Sequence, residues 1–284
     1  MPRDADELLE LLDLETLDDN LFRGAQMPTT RPMVFGGQVA AQSLVAASRT
    51  VAEPYAAHSL HSYFLQPGDP STPTIYDVET LRDGRSFVTR RVIAQQHGRP
   101  IYAQTVNFHK AEPGYEHHES MPDGPGPDDP SVRPVSRLAQ EELHADQWNV
   151  ADLRFVGSSG GGLDPDPAHP ARQRVWLRVS SPLPEDPHAH RAAFTYLSDM
   201  TLAGAAMGPH GISFGKGDVF VASLDHTVWF HRPFRADEWW LYDQVSPSAS
   251  HGRALILGRV FSQDGRLVAS VAQEAVLRPR KADR

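Results

Sequence analysis

The feature that most restricts the fold is an internal repeat. Tyr63-Phe64-x-x-Pro67 recurs as Trp229-Phe230-x-x-Pro233, and Ile75-Tyr76-Asp77 recurs as Leu241-Tyr242-Asp243, both at an offset of 166 residues. Gly98-Arg99 matches Gly265-Arg266 at 167, one insertion later. A single such match arises easily by chance, but three in register do not, so the chain reads as a duplication. With 284 residues, each copy has the size of one domain, since domains run to roughly 100–200 residues.

The element pattern fills in the repeat unit. Residues 4–13 predict a short amphipathic helix with Leu8, Leu11 and Leu12 on one face. A second helix is expected over 37–50, where Ala40, Ala41, Ala46 and Ala47 permit close approach. Strand-like runs follow at 57–65, 74–82, 86–96 and 100–109, punctuated by Pro67-Gly68-Asp69, Asp83-Gly84 and His97-Gly98. Prolines, glycines and aspartates crowd 113–134, which marks a linker, and a helical stretch follows at 136–148. The second copy predicts strands at 151–157 and 173–181, a helix at 199–208, and strands at 218–231, 239–246, 252–263 and 266–277. The expected class is α+β: a tandem (double) hot-dog, two antiparallel sheets each wrapped around a central helix. The expected division is 1–112 for the first repeat, 113–150 for the linker with its short helix, and 151–284 for the second repeat, which carries the candidate site.

Composition removes several function classes. No run approaches the ~18 apolar residues of a membrane span, and the acidic start Met1-Pro-Arg-Asp-Ala-Asp-Glu7 lacks the apolar core of a signal peptide. The chain has no cysteine, which excludes disulfide scaffolds, thiolate metal sites and cysteine nucleophiles and fits a reducing cytoplasm. A net charge of −9 argues against nucleic acid as a partner. A local arginine cluster could still serve a small polyanion.

One motif misleads. Gly157-Ser158-Ser159-Gly160-Gly161 satisfies G-x-S-x-G, but a nucleophile elbow needs a helix directly after the serine, and Gly161-Gly-Leu-Asp-Pro-Asp-Pro167 does not start one. The 14 histidines include His117-His118, His188-x-His190 and His58-x-x-His61, none with metal-site spacing. The first two pairs are expected in solvated Pro-rich loops, and the third on opposite faces of a strand, so no metal is expected.

Three polar residues stand out. On the strand 267–277, the face with Leu267, Ala269, Val271, Ala275 and Leu277 is apolar except for Gln273. A buried amide without partners costs roughly 1–3 kcal/mol, so Gln273 either bonds the backbone or positions something in a pocket. Asp199 precedes the apolar run 200–207 and reads as a helix N-cap, where the dipole would keep it ionised. Ser223, by strict alternation, shares the polar face of its strand with Asp225 and Thr227. Only a bulge would turn it inward, which leaves Asp225 and His226 as competitors.

At these residues the chain resembles the TesB-like acyl-CoA thioesterase II family of double hot-dog proteins. The resemblance runs nearly end to end and thins over 113–150. It is carried by Leu21-Phe22-Arg23-Gly24, Phe35-Gly36-Gly37-Gln38, His58-Ser-x-His-Ser-Tyr-Phe-Leu65 into Pro67-Gly68-Asp69, and Tyr76-Asp-Val-Glu-Thr-Leu-Arg-Asp-Gly84. Leu224-Asp-His226, Trp229-Phe-His-Arg-Pro-Phe234 and Gln273-Glu274 complete it. It implies hydrolysis of acyl-CoA to a free acid and CoA, with no cofactor, no metal and no covalent intermediate. The family's water-holding trio falls on Asp199, Ser223 and Gln273, with Ser in place of the more usual Thr. Helix N-terminal N–H groups are the expected oxyanion donors, and Arg82, Arg85, Arg90 and Arg91 are candidate contacts for the CoA phosphates. The first repeat has Ala57 and Val106 at the positions matching Ser223 and Gln273, so one site per chain is expected. Exposed sheet edges and the family's habits imply a homo-oligomer. Two alternatives remain: a non-catalytic acyl-CoA binding protein on the same fold, and a hot-dog enoyl-CoA hydratase. The latter needs a His five residues after its Asp, where this chain has Gly204.

Overall fold

A computed structural model describes residues 1–29, 31–134, 149–157, 171–212 and 219–280. Helix α1 (Ala5–Leu12) starts where Asp4 accepts a hydrogen bond from the Glu7 N–H at 2.9 Å, and it buries Leu8, Leu11 and Leu12 as its spacing requires. Two short strands, β1 (Glu15–Asp18) and β2 (Leu21–Gly24), lead to helix α2 (Gly36–Arg49). The small side chains of α2 let the sheet close over it, burying ten of its residues from Gly37 to Ala47. The meander β3 (Tyr55–Phe64), β4 (Thr74–Asp83), β5 (Phe87–Gln96) and β6 (Arg99–Lys110) follows the expected boundaries. His97 and Gly98, both with positive φ (51° and 70°), make the tight turn between β5 and β6.

The second half contains β7 (Arg133–Pro134), β8 (Ala151–Phe155) and β9 (Arg172–Val179), then helix α3 (Pro187–Ser198) and the single turn α4 (Ala203–Met207). Strands β10 (Val219–Ser223), β11 (Asp225–Phe230), β12 (Trp240–Ser250), β13 (Arg253–Ser262) and β14 (Leu267–Pro279) complete it. The central helix therefore differs from the expected 199–208. Asp186 caps it by accepting from His188 N at 2.9 Å, and Pro187 occupies its first turn, where a missing N–H costs nothing. His188 and His190 thus lie in a helix rather than a solvated loop. His190 is buried and its Nδ1 accepts from the Ala236 N–H at 3.1 Å. The helix expected at 136–148 and the serines of the G-x-S-x-G motif lie outside the described residues.

Among the described residues the two antiparallel meanders join into one sheet of 14 strands, with β3 and β11 paired at the seam. Leu60 opposes Val228 there, both with no exposed area. Helices α2 and α3 pack against each other and share one hydrophobic core with the strands, in the tandem arrangement expected. Each half carries a bulge at the same place in the repeat. In β3 the register with β6 shifts between Ala57 and Ser59, leaving His58 unpaired. In the second half the chain leaves the ladder at Leu224, and the register against β14 shifts by one between Ser223↔Ala275 and Thr227↔Ala272.

Candidate functional site

The bulge at Leu224 decides the site. An extra residue reverses the in-out alternation of everything before it, so Ser223 turns inward, while Asp225 leaves the competition by capping the Glu274 N–H with Oδ1 at 2.7 Å. Ser223 Oγ donates to Asp199 Oδ1 at 3.2 Å and accepts from Gln273 Nε2 at 2.8 Å. Gln273, 2% exposed, is the inward amide foreseen on the apolar face of β14. The three residues expected from the sequence thus converge, one each from the end of α3, β10 and β14.

His226 joins them. Its Nδ1 lies 2.7 Å from Gln273 Oε1 and its Nε2 2.8 Å from Ser198 Oγ, and the ring has no exposed area. The sequence kept His226 only as a competitor for the hydroxyl position; the bulge gives both residues inward places. Burial lowers the basicity of the imidazole, against the opposing pull of Asp199.

Asp199 does not sit where the sequence suggested. It caps the C-terminus of α3 (φ −82°, ψ −9°), so its own helix presents the negative end of the dipole. Its carboxylate instead meets the N-terminus of α2 from the first half. Burial raises its pKa above the ordinary 3.8, while hydrogen bonds from Ser223, Gln273 and the Gly37 N–H favour the anion. Helix α2 starts at Gly36 with no side-chain cap, Phe35 occupying that position; the Phe35 carbonyl takes the Gln38 N–H at 3.1 Å, and the Gly37 N–H turns to Asp199. A Cβ on Gly36 would lie 2.7 Å from Asp199 Oδ2 and 2.9 Å from the Phe64 ring, and one on Gly37 would strike the Tyr196 carbonyl. The Phe35-Gly36-Gly37 motif is the condition for bringing α2 onto Asp199.

Other expected residues lie elsewhere. Arg90 is 5% exposed and holds Thr50 through Nε to Oγ1 at 3.0 Å and through Nη2 to the carbonyl at 3.1 Å, with Asp83 paired at 2.7 Å. It is a structural cation. Arg91 pairs with Glu79 at 2.6 Å. Arg82 and Arg85 belong to a hairpin that Tyr55 holds by donating to the Gly84 and Arg85 carbonyls. That is the Tyr55 end of β3, about 30 Å along the strand from Phe64 at 3.3 Å per residue. His58 and His61 share one face, because the bulge reverses the expected alternation: His58 packs edge-on against Phe87 and His109, and His61 against Trp229. Among the described residues no three His, Asp or Glu side chains gather to hold a metal. Arg31, which no sequence signal marked, sits beside the Phe35 ring within the field of Asp199.

Comparison with known proteins bears on this geometry. Residues 167–276 match the family described as "Acyl-CoA thioesterase", and residues 24–109 match "Acyl-CoA thioesterase N-terminal domain". Acyl-CoA thioesterase 2 of Haemophilus influenzae is 38% identical over 95% of this chain and 96% of its own. Acyl-coenzyme A thioesterase 8 of Homo sapiens is also 38% identical, over 94% and 88% respectively. The crystal structure of acyl-CoA thioesterase II TesB2 from Mycobacterium marinum superposes with a TM-score of 0.83 at 46% identity, covering 96% of this chain and 98% of that one.

Proposed function

The chain belongs to the TesB-like acyl-CoA thioesterase II family, and from that premise we propose that it hydrolyses fatty acyl-CoA to a free fatty acid and CoA using a water held by Asp199, Ser223 and Gln273. The observation that carries the assignment of residues is the chain of hydrogen bonds that runs from Gln273 through Ser223 to the Asp199 carboxylate. A thioester carbonyl is already electrophilic, so a positioned water and a stabilised oxyanion suffice. Asp199 takes a proton from the water as its oxygen attacks the carbonyl carbon. The oxygen that gains charge is met by the N-terminal end of α2, where the helix dipole is positive. Collapse breaks the C–S bond, and the proton on Asp199 passes to the departing CoA sulfur. A carboxylate whose pKa is raised by burial is the better base for this. A module that only bound acyl-CoA would have no use for a buried carboxylate that burial penalises.

The reading divides the chain into a first unit (1–112) that contributes the α2 N-terminus and a second (151–284) that contributes the trio. Among the described residues no helix is long and apolar enough to cross a membrane, and the absence of cysteine fits the cytoplasm. Among the described residues no strand pairs with the outer edge of β1, whose four residues are exposed, which fits assembly into a homo-oligomer and is tested by light scattering after size exclusion.

The decisive experiment is release of CoA thiol from a series of acyl-CoAs, short to long, by wild type and by Asp199→Asn. The chain's lack of cysteine keeps a thiol reagent free of background. Turnover that collapses in the variant supports the reading. No turnover at any chain length, with binding intact, replaces it with an acyl-CoA binding protein, and turnover that survives in the variant removes Asp199 from the chemistry.

A further inference from the structure

The mechanism above gives no work to His226, although it is fully buried and hydrogen-bonded at both ring nitrogens. Resting on the assignment of Asp199, Ser223 and Gln273, we infer that His226 is a positioning residue: held by Ser198 and protonated on Nδ1, its neutral ring locks the Gln273 amide with its NH2 group toward Ser223 and Asp199.

The polarity of the network leads there. The two ends of an amide are nearly the same size, and a half-turn exchanges its donors for its acceptor. Only one orientation serves an ionised Asp199, because an amide oxygen turned toward a carboxylate is repelled. The NH2 group faces Ser223 Oγ at 2.8 Å, so the oxygen faces His226 Nδ1 at 2.7 Å. An amide oxygen only accepts, which requires the hydrogen on Nδ1. In a neutral ring Nε2 then carries a lone pair and needs a donor. Ser198 Oγ, with no exposed area and 2.8 Å away, has a single hydrogen to give, and the Thr195 carbonyl at 3.0 Å competes for it. Given to Nε2, that hydrogen completes a chain in which every donor points one way: Ser198 to His226, His226 to Gln273, Gln273 to Ser223, and Ser223 to Asp199 at 3.2 Å. Such aligned chains polarise one another and gain strength in a low-dielectric interior. Burial disfavours the imidazolium, which keeps Nε2 an acceptor.

The reverse arrangement is also chemically complete. There Ser198 donates to the Thr195 carbonyl, Nε2–H to Ser198, the amide NH2 to Nδ1, and Ser223 to the amide oxygen. It takes both donors away from Asp199 and leaves the water unheld. The two arrangements differ in the position of one hydrogen on one ring, which is measurable.

The test combines kinetics with the tautomer. His226→Asn keeps a donor close to the place of Nδ1, whereas His226→Leu keeps the bulk and removes it. We expect His226→Leu to lower kcat about 100-fold with KM changed by no more than about threefold, the size of effect that follows from misplacing a reacting group. His226→Asn should recover at least about tenfold of that loss. Nitrogen-15 NMR of the imidazoles, with the His226 signals assigned by their disappearance in His226→Asn, should show a neutral ring bearing its hydrogen on Nδ1. Equal kcat in the two variants, or a ring hydrogen on Nε2, overturns the proposal. If His226→Leu does not fold, His226→Asn carries the kinetic test against wild type, and a loss in kcat beyond about 100-fold overturns it. Wild-type turnover and its loss in Asp199→Asn test the thioesterase assignment separately, and the tautomer is read without any turnover.

Discussion

Asp199 faces two demands that pull its protonation in opposite directions. The proposed proton transfer from water requires the anion, while burial favours the acid and raises its pKa above the ordinary 3.8. Two expected outcomes follow. The kcat of the wild type should fall on the acid side through a pKa higher than that of an ordinary aspartate, and Asp199→Asn should lose about 10²–10⁴-fold on the plateau above that limb, as expected for removal of a general base, with the loss shrinking at acid pH. Stability should move the other way. A folded-state pKa raised above the unfolded value means that the folded chain binds this proton more readily. Stability is therefore lost as pH rises from the unfolded value through the folded one, and the penalty is complete once pH exceeds the folded value. Asparagine has no charge to bury. Asp199→Asn should unfold at a higher temperature than wild type at pH 7, with the gap closing toward about pH 4, where the acid is protonated in both states. A variant less stable than wild type at pH 7 would show that the hydrogen bonds from Ser223, Gln273 and Gly37 outweigh burial. Of the residues at this site, Gln273 was the most legible, because one amide on an otherwise apolar strand face must have partners. Asp199 was found for a reason that failed. The apolar run after it suggested an N-cap, yet it ends one helix and faces the start of another.

The bulge at Leu224 and the first turn of α2 are the elements that build the site. Because side chains alternate along a strand, removing the extra residue would return Ser223 to the outer face. Deleting Leu224 should therefore abolish turnover in the thiol-release assay, and retained activity would show that the bulge does not orient the hydroxyl. Two neighbouring glycines separate function from folding in α2. Gly36→Ala places its methyl against Asp199 Oδ2 and the Phe64 ring, whose side chains can give way. It should fold at a near wild-type melting temperature and lose most of its kcat. Gly37→Ala meets a backbone carbonyl of α3, which cannot turn aside. It should lower stability by about 1–3 kcal/mol, the usual range for overpacking, as read by denaturant titration. The strands were legible because the repeat and the turn residues fix their spacing. The bulge was not, since one unpaired residue leaves no periodicity of its own, although the same device sits at His58 with Ala57 in the hydroxyl's place. Helix α3 was missed because Pro184-Glu-Asp-Pro187 reads as a loop. Pro187 stands in the first turn after an Asp186 cap, where proline starts a helix rather than breaking one. Its many buried residues also leave no polar face to betray a helical period.

At the scale of the whole molecule, the proposed site draws on two unequal halves. The second half holds Asp199, Ser223, Gln273 and His226, and the first supplies the helix end that meets the carboxylate, so neither half contains the site alone. The β3–β11 seam turns that dependence into a mechanical one, because two sheets joined by backbone hydrogen bonds and by the buried contact of Leu60 with Val228 do not separate without exposing both cores. The two halves should then unfold together, and the sequence provides the probe. None of the five tryptophans belongs to the first half: Trp176, Trp229, Trp239 and Trp240 lie in the second, and Trp148 falls in the linker sequence. Tryptophan emission therefore carries no signal from within the first half, while far-ultraviolet circular dichroism reports on both. The two denaturation curves should superimpose, as required of a single cooperative transition. Leu60→Ala, a substitution in the first half costing about 2–5 kcal/mol, should shift the tryptophan curve as far as the dichroism curve. If the tryptophan midpoint stays in place while the dichroism splits into two steps, the seam is a contact between independent domains. The geometry at Asp199 would then depend on docking rather than on folding.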